Sequence, residues 1–268
     1  MNNIYIASYN RADKVRTYEY LDCGHIVVPE SQEKQYKKRY GNAVISIPDN
    51  RDGSVSKKRN AVLDLIQEEQ EDGYGWICDD DFVALRRKKE NIKMTGDETL
   101  EHFERLYIMA KDSGAKYGGF DYSSDNMKLK DMTPFSLTKC CFGLALVNAK
   151  DGIRYDERFK LNEDVEFFIQ KMNDSRYLMR DNQYASEFYG EDGGKDSVIK
   201  YSRSDQKKYA TMINNKWGYK AMVWERTKGV DYGYAAESCC LWGTIDMNDN
   251  TLIIYRELYR KGLTGEEL

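Results

Sequence analysis

The chain has little of several residue types that mark common classes of protein. Its 268 residues include two His, three Pro and six Cys, and no two Cys stand in a CxxC spacing. A structural zinc site, which takes four Cys or His ligands at close spacing, therefore has little support. No run of about 18 apolar residues occurs, which argues against a membrane-spanning helix. The first residues resemble no signal peptide, so we expect a cytoplasmic protein with reduced thiols.

Charge of one sign is also not in large excess. Lys and Arg number 41 against 45 Asp and Glu, a net charge of −4, and the mean hydropathy is −0.77. This composition argues against a disordered chain. A protein that wraps nucleic acid non-specifically is usually strongly basic, so any contact with nucleic acid must be local.

Short apolar runs alternate with helical patterns along the first two thirds of the chain. Strands are predicted at 4–8, 25–28, 43–47, 74–78, 117–120 and 140–147, and helices at 12–21, 30–40, 54–66, 96–110, 162–172 and 205–217. Such alternation indicates an α/β fold with a mostly parallel central sheet covered by helices. We predict one domain over 1–200 and a C-terminal extension, 201–268, packed on the same domain.

The strongest local signal is Asp79-Asp80-Asp81, directly after the apolar strand 74–78. Three adjacent carboxylates repel one another, and a bound cation relieves that cost. Ligands of open α/β sheets gather at the carboxyl ends of strands, and a hard divalent ion takes carboxylate, phosphate and water oxygens. The alternative is a solvated acidic turn that closes the strand.

A second acidic group, Asn162-Glu163-Asp164, opens an apolar helix. Free N–H groups and the helix dipole stabilise acids at this position, so capping alone accounts for them. The functional alternative is that Asp164 projects into a cleft and acts as a general base.

Two weaker signals concern anions and nucleotides. The run 57–60, which includes Lys58 and Arg59, puts cations near a helix start, where a bound anion favours them. The polar loop 8–11 follows the first strand, a common position for nucleotide contacts. A solvated helix face and an ordinary loop are the plain alternatives.

Taken in order, these motifs resemble those of GT-A glycosyltransferases, with Asp79-Asp80-Asp81 as the DxD motif and 162–164 as the Glu-Asp motif of inverting members. Shorter pieces resemble the TET-associated glycosyltransferases of phages and fungi, which are thought to glycosylate hydroxymethylated pyrimidines in DNA. These pieces are IYIASYNR at 4–11, HIVVPE at 25–30 followed by Tyr36, IPDN at 47–50 leading to Gly53, Arg59-Asn60 and WICDDD at 76–81.

The resemblance implies a role for each matching residue, with 1–200 as the catalytic domain. The donor nucleotide is expected at Ser8, Asn10 and Arg11, with its base or diphosphate near Arg59. Asp79 is expected to face the donor ribose, Asp81 and Asp79 to bind Mn²⁺ or Mg²⁺, and Asp80 to be shared between donor and metal. Asp164 is the expected catalytic base, and Glu163 its neighbour on the acceptor side. Many relatives also place a metal-binding His late in the chain, and no His follows His102 here. Glu191, Asp192 or water are candidates to replace it, although a simple turn at Gly193-Gly194 is the favoured interpretation of that loop.

The acceptor is suggested by a basic run, Arg86, Arg87, Lys88 and Lys89, which begins five residues after Asp81. A basic rim there would dock DNA phosphates, with Lys128, Lys130 and Lys139 extending it. A solvated loop is the alternative. A base turned out of the duplex would need stacking partners, and the candidates are Tyr117, Phe120 and Tyr122.

The predicted function is therefore a metal-dependent, inverting transfer of sugar from a nucleoside-diphosphate sugar, UDP-glucose or similar, to hydroxymethylpyrimidine DNA. For a phage protein the compartment would be the host cytoplasm. The alternatives are a GT-A enzyme with a glycan or protein acceptor and a non-enzymatic domain that binds a nucleotide or metal. The sequence leaves open the sugar, the donor base and the oligomeric state.

Overall fold

The structure, a computed structural model, describes residues 3–122, 133–189, 202–218, 237–246 and 251–261. Its chain divides into two units, Met1–Tyr209 and Ala210–Leu268. The predictions about Lys128, Lys130, Glu191 and Asp192 lie outside the described residues. The predicted division at residue 200 stays a prediction.

Ten strands and five helices lie in the first unit, within its described residues, and a sixth helix crosses its end. The strands are β1 Ile4–Ala7, β2 His25–Pro29, β3 Val44–Ile47, β4 Tyr74–Asp79, β5 Phe82–Arg87, β6 Ile92–Lys93, β7 Tyr117–Asp121, β8 Phe135–Ser136, β9 Leu144–Asn148 and β10 Met179–Phe188. The helices are α1 Arg16–Leu21, α2 Glu30–Tyr40, α3 Val55–Glu69, α4 Gly96–Ser113, α5 Glu163–Ser175 and α6 Arg203–Trp217. In the second unit, β11 Glu237–Asp246 and β12 Thr251–Lys261 form an antiparallel pair.

The first unit is built on one sheet in the order β3-β2-β1-β4-β9-β7-β10-β5-β6, with β8 paired to β10. Strands β1 to β4 are mutually parallel, as are β7 and β10, whereas β9 and β5 run antiparallel to their neighbours. The predicted α/β fold is confirmed. Parallel pairing of Ala7 with Asp79 puts the ends of β1 and β4 side by side, so the loops that follow both strands meet at one sheet edge.

Strand β4 shows why an apolar run becomes the centre of this sheet. Alternate side chains enter the two hydrophobic clusters that cover the sheet faces. Trp76 enters one cluster and stacks on Phe103 at 4.2 Å between ring centroids, and Ile77 enters the other with Ile66 of α3. A strand buried on both faces needs a continuous apolar run, as predicted.

Local capping signals set the starts of α3 and α4. The side chain of Ser54 accepts a hydrogen bond from the Lys57 amide and begins α3, and Thr95 with Glu98 forms the predicted capping box at α4. The predicted helix 12–21 is shorter, because it begins only at Arg16, and the strand predicted from 140 begins at Leu144. Among the described residues, no helix combines the length and apolar character needed to cross a bilayer.

Candidate active site

The three carboxylates lie in a turn between β4 and β5, called here the acidic turn (Asp79, Asp80 and Asp81). Thr17 of α1 holds its backbone. The Thr17 hydroxyl donates to the Asp79 carbonyl at 2.5 Å and accepts from the Phe82 amide at 3.0 Å, and the Thr17 amide donates to the Asp80 carbonyl at 3.3 Å. A turn fixed from behind in this way presents its side chains in a defined direction.

Asp80 faces the protein interior and ties the acidic turn to the loop after β1. One of its carboxylate oxygens accepts from the Ser8 hydroxyl at 2.6 Å, and the other accepts from the Arg11 guanidinium at 2.6 Å. Burial raises the pKa of Asp80, while Arg11 and Ser8 oppose that shift. Ser8 and Arg11, both predicted at the nucleotide, therefore also support the acidic turn.

Helix α2 positions the same loop from its other side. The Tyr36 hydroxyl accepts from the Arg11 amide at 2.8 Å and lies 2.8 Å from the Ser8 hydroxyl. Gln32 accepts from the Asn10 amide and donates to its side-chain oxygen, and Asn10 adopts a φ of 53°. Gln32 was missed from sequence; its spacing of four residues from Tyr36 on a charged helix was the available signal.

Asp81 is the least well paired carboxylate of the acidic turn. Its nearest cation, the Arg11 guanidinium, lies 3.5 Å away, and its side chain keeps 30% of its exposure. Burial, followed by the charges of Asp79 and Asp80, raises the pKa of Asp81 to about 7. At this position a proton or a bound cation is favoured over a bare carboxylate.

Arg59 joins the acidic turn to helix α5. One terminal nitrogen lies 2.8 Å from an Asp79 oxygen, and the other lies 3.0 Å from an oxygen of Glu163. The guanidinium is buried, packs 5.6 Å from the centroid of the Tyr155 ring, and leaves its Nε without a protein partner. Two motifs that are distant in sequence therefore contact the same buried guanidinium group.

Glu163 and Asp164 begin α5 after a left-handed Asn162, whose side chain makes no capping hydrogen bond. Glu163 is buried, whereas Asp164 is half-buried and accepts a hydrogen bond from the Val165 amide at 2.8 Å. Burial raises the pKa of Glu163 to about 7 and also raises that of Asp164, and the charge of Arg59 opposes both shifts. Two close carboxylic groups of raised pKa beside a buried arginine suit proton transfer.

The carboxylates of the site fit a divalent ion only if other oxygen atoms complete its coordination. Among the described residues, no group of three or more His, Cys, Asp and Glu side chains is arranged to hold a metal ion. The acidic turn offers hard oxygen ligands instead, with Asp81 as its underpaired member. One or two carboxylates completed by phosphate oxygens and water match the usual coordination of Mg²⁺.

The predicted basic rim is wrong for two of its four members. Lys88 is fully buried, with its ammonium 2.5 Å from Asp121, and Arg86 pairs with Glu187 and donates to Asn91. Both lie on or just after β5, because the run continues a sheet strand rather than a loop. Lys89 is exposed and Arg87 is half-buried.

Two of the three predicted stacking residues are also corrected. Tyr117 and Phe120 lie on β7 and point into opposite hydrophobic clusters, so neither presents a ring face to a ligand. Tyr122, directly after β7, is 43% exposed. Lys139 is exposed as well.

The family match defines the class of protein: the chain is a glycosyltransferase. It belongs to the TET-associated glycosyltransferase family, which matches residues 2–187. Among solved structures, it is similar to TarS 1–349 of S. aureus in complex with UDP, with 14% identity, a TM-score of 0.44 and coverage of 82% of this chain and 72% of that one. It is also similar to A197 from STIV, with 14% identity, a TM-score of 0.40 and coverage of 75% and 98%. No curated protein matches the chain.

Proposed function

We propose that the chain transfers a sugar from a nucleoside-diphosphate sugar, such as a UDP-sugar, to the hydroxyl of a hydroxymethylated pyrimidine in DNA. The observation that carries this proposal is the Arg59 bridge between Asp79 and Glu163, because it brings together the acid expected at the donor ribose and the acid expected at the acceptor side. Membership of a TET-associated family supports the choice of DNA as acceptor.

The donor would lie along the sheet edge formed by β1 and β4. Ser8, Asn10 and Arg11 would line the nucleotide and Asp79 would face the ribose, as the family resemblance implies. Asp81, with Asp79, would hold Mn²⁺ or Mg²⁺ together with diphosphate oxygens. When bound, such an ion supplies Lewis-acid stabilisation of the leaving diphosphate. Asp80 would keep Ser8 and Arg11 in place, as the hydrogen bond that it accepts from each of them indicates.

Asp164 would act as the catalytic base. It would accept the proton of the acceptor hydroxyl while that oxygen forms a bond to C1 of the sugar. The bond from C1 to the diphosphate oxygen breaks on the opposite face, through an oxocarbenium-like transition state, and the configuration inverts. Glu163, anchored by Arg59 at 3.0 Å, would fix the start of α5 and so position Asp164.

A glycan or protein acceptor is the second candidate. It is favoured by one observation, the engagement of Arg86 and Lys88 in ion pairs, which removes half of the basic run from contact with DNA phosphates. The two candidates share the donor site and differ only in the acceptor.

Transfer from labelled UDP-sugars, with Mn²⁺ present, tests both. Acceptors are matched oligonucleotides with hydroxymethylcytosine or cytosine and a panel of glycans. We expect label on the hydroxymethylcytosine strand alone; label on glycans alone would favour the second candidate.

Asp164→Asn tests the base. We expect donor binding to persist and kcat to fall by about 10²–10⁴-fold, the usual contribution of a general base. Asp174→Asn, at an exposed acid of the same helix that pairs with Lys116, is the matched control. Normal turnover by Asp164→Asn would assign the base to another residue.

A further inference from the structure

Three aromatic side chains from separate segments meet beside the acidic turn. Tyr122, after β7, lies 5.9 Å from Phe188 at the end of β10, with the rings 27° from parallel. Its edge meets Phe142, before β9, at 5.8 Å and 71°. Phe188 packs in turn on Phe82 of the core at 5.7 Å, so the group rests on fixed structure while Tyr122 stays 43% exposed.

Gly143 shows how close this group lies to the carboxylates. A Cβ at Gly143 would stand 2.6 Å from the ring of Phe188 and 3.2 Å from an oxygen of Asp79. The Gly143 carbonyl also accepts from the Asp79 amide at 2.8 Å. The glycine, with a φ of 64°, therefore lets an aromatic ring and a site carboxylate approach the same point.

The segment 140–143 also links the rings to the proposed base. Its last residue, Gly143, accepts a hydrogen bond from the Asp79 amide. At its other end, the charge of Asp164 adds to burial in raising the pKa of the Cys140 thiol, which indicates that these two side chains are close. Phe142 therefore lies in a segment that is close to Asp79 at one end and to Asp164 at the other.

We propose that Tyr122, Phe142 and Phe188 form a stacking platform for the acceptor base. The inference rests on the proposed function and adds the residues that hold its substrate. A pyrimidine stacked on this platform would bring its hydroxymethyl group close to the acidic turn, because the Phe188 ring and an Asp79 oxygen both lie near Gly143. Base–aromatic stacking is strong and needs no sequence-specific contact.

A nucleobase fits better than an aliphatic surface of a protein partner. The platform consists of aromatic rings and lies beside the acidic turn, and the exposed Lys139 stands three residues before Phe142 in the sequence. An aromatic stacking surface with a cation on an adjoining segment suits a nucleotide, whose base is flat and whose phosphate is anionic. Tyr189, which follows Phe188, already has the Arg16 guanidinium 3.6 Å from the centroid of its ring and is not counted as part of the platform.

The test compares Tyr122→Ala, Tyr122→Phe and, as control, Ile108→Ala at an exposed apolar residue of α4. We measure KM for an oligonucleotide carrying hydroxymethylcytosine, and the affinity of the same oligonucleotide by fluorescence anisotropy. Tyr122→Ala is expected to weaken both by about tenfold, Tyr122→Phe to stay near wild type because the ring remains, and Ile108→Ala to change neither. The Kd for the UDP-sugar serves as the check on folding.

The outcomes separate the platform from the proposed function. If the wild-type chain modifies DNA while Tyr122→Ala keeps the wild-type KM and affinity, the platform is wrong and the function stands. If the wild-type chain modifies glycans and neither binds nor modifies the oligonucleotide, both are wrong. If it binds the oligonucleotide without transfer, the loss of affinity in Tyr122→Ala still decides for or against the platform.

Discussion

A single arginine lies between the two acidic motifs of this site. Arg59 faces carboxylates on both sides, Asp79 and Glu163, and its positive charge opposes the effect of burial on Glu163 and Asp164. The charge of Arg59 therefore influences the pH at which Glu163 and Asp164 lose their protons, and a carboxyl group must lose its proton before it can act as a base.

Replacing Arg59 should move the acid limb of the pH profile. Because Arg59 lowers the pKa of both α5 carboxyl groups, Arg59→Gln is expected to shift the acid limb of kcat/KM to higher pH, with Arg59→Lys intermediate. The pH–rate profile measures this, with circular dichroism as the folding check. Arg154→Gln, at a half-buried arginine that pairs with Asp64, is the control. An unchanged limb in a folded Arg59→Gln protein would contradict the role.

The crowded acidic turn predicts an unusual gain in stability on loss of a charge. The pKa of Asp81 is raised to about 7, and a carboxyl group with a raised folded-state pKa stabilises the folded state while protonated. That contribution is lost as the pH rises from about 4, the unfolded value, to about 7.

Asp81→Asn removes the charge, so the ligand-free variant should melt a few degrees above wild type at pH 8 and near wild type at pH 5. Calorimetry without divalent ions measures this, and Asp112→Asn at an exposed acid is the control. Addition of Mn²⁺ and UDP-sugar should raise the Tm of wild type more than that of the variant. A lower Tm for Asp81→Asn at pH 8 would contradict the argument.

At the scale of elements, periodicity and caps predicted most of the first unit, and buried polar strands escaped prediction. Strand β10 carries Arg180, Asp181 and Asn182, all buried. These residues are tolerated because Asp181 pairs with Arg105 of α4 and Arg180 with Asp121 of β7. A single sequence shows no apolar alternation there, since the partners come from other elements. Strand β5 was missed because its basic end is typical of a loop.

The sequence likewise reveals some features of the candidate site and not others. The acidic residues at the end of β4 and the start of α5 stand out in the sequence because each follows or opens an apolar run. Their proximity came only from the family resemblance, since nothing in the spacing of Arg59 shows that it bridges them. The Tyr122 platform combines three segments, and no local pattern predicts such a contact.

The capping box of α4 permits a prediction for one element. The Thr95 side chain accepts from the Glu98 amide at 3.3 Å, and Glu98 accepts from the Thr95 amide at 2.8 Å. Thr95→Ala should lower the free energy of unfolding by about 1 kcal/mol, because an end amide loses its acceptor. Urea denaturation measures it, with Thr138→Ala at an exposed loop threonine as control. Equal stability of both variants would show that water replaces the cap.

At the scale of the whole molecule, the residues proposed to bind the donor and to act in catalysis all lie before residue 190. The family match ends at residue 187, the ten-stranded sheet ends with β10, and β11 and β12 pair with each other. Helix α6 crosses the end of the first unit, and its Tyr209 packs on buried Phe159 at 6.4 Å. A division at residue 200 would therefore uncover Phe159.

Truncation tests where the catalytic unit ends. A chain ending at Gly218 keeps α6 and should fold, with a Tm near that of the full chain and an unchanged shift on adding UDP-sugar and Mn²⁺. A chain ending at Ser202 lacks Tyr209 and should melt lower, since exposing a large aromatic contact costs a few kcal/mol. Full-length Tyr209→Ala separates loss of this contact from loss of the segment, and should fall between the two. If the chain ending at Gly218 fails to fold while Tyr209→Ala is stable, the catalytic unit requires the residues after α6, and the division into domain and extension is wrong.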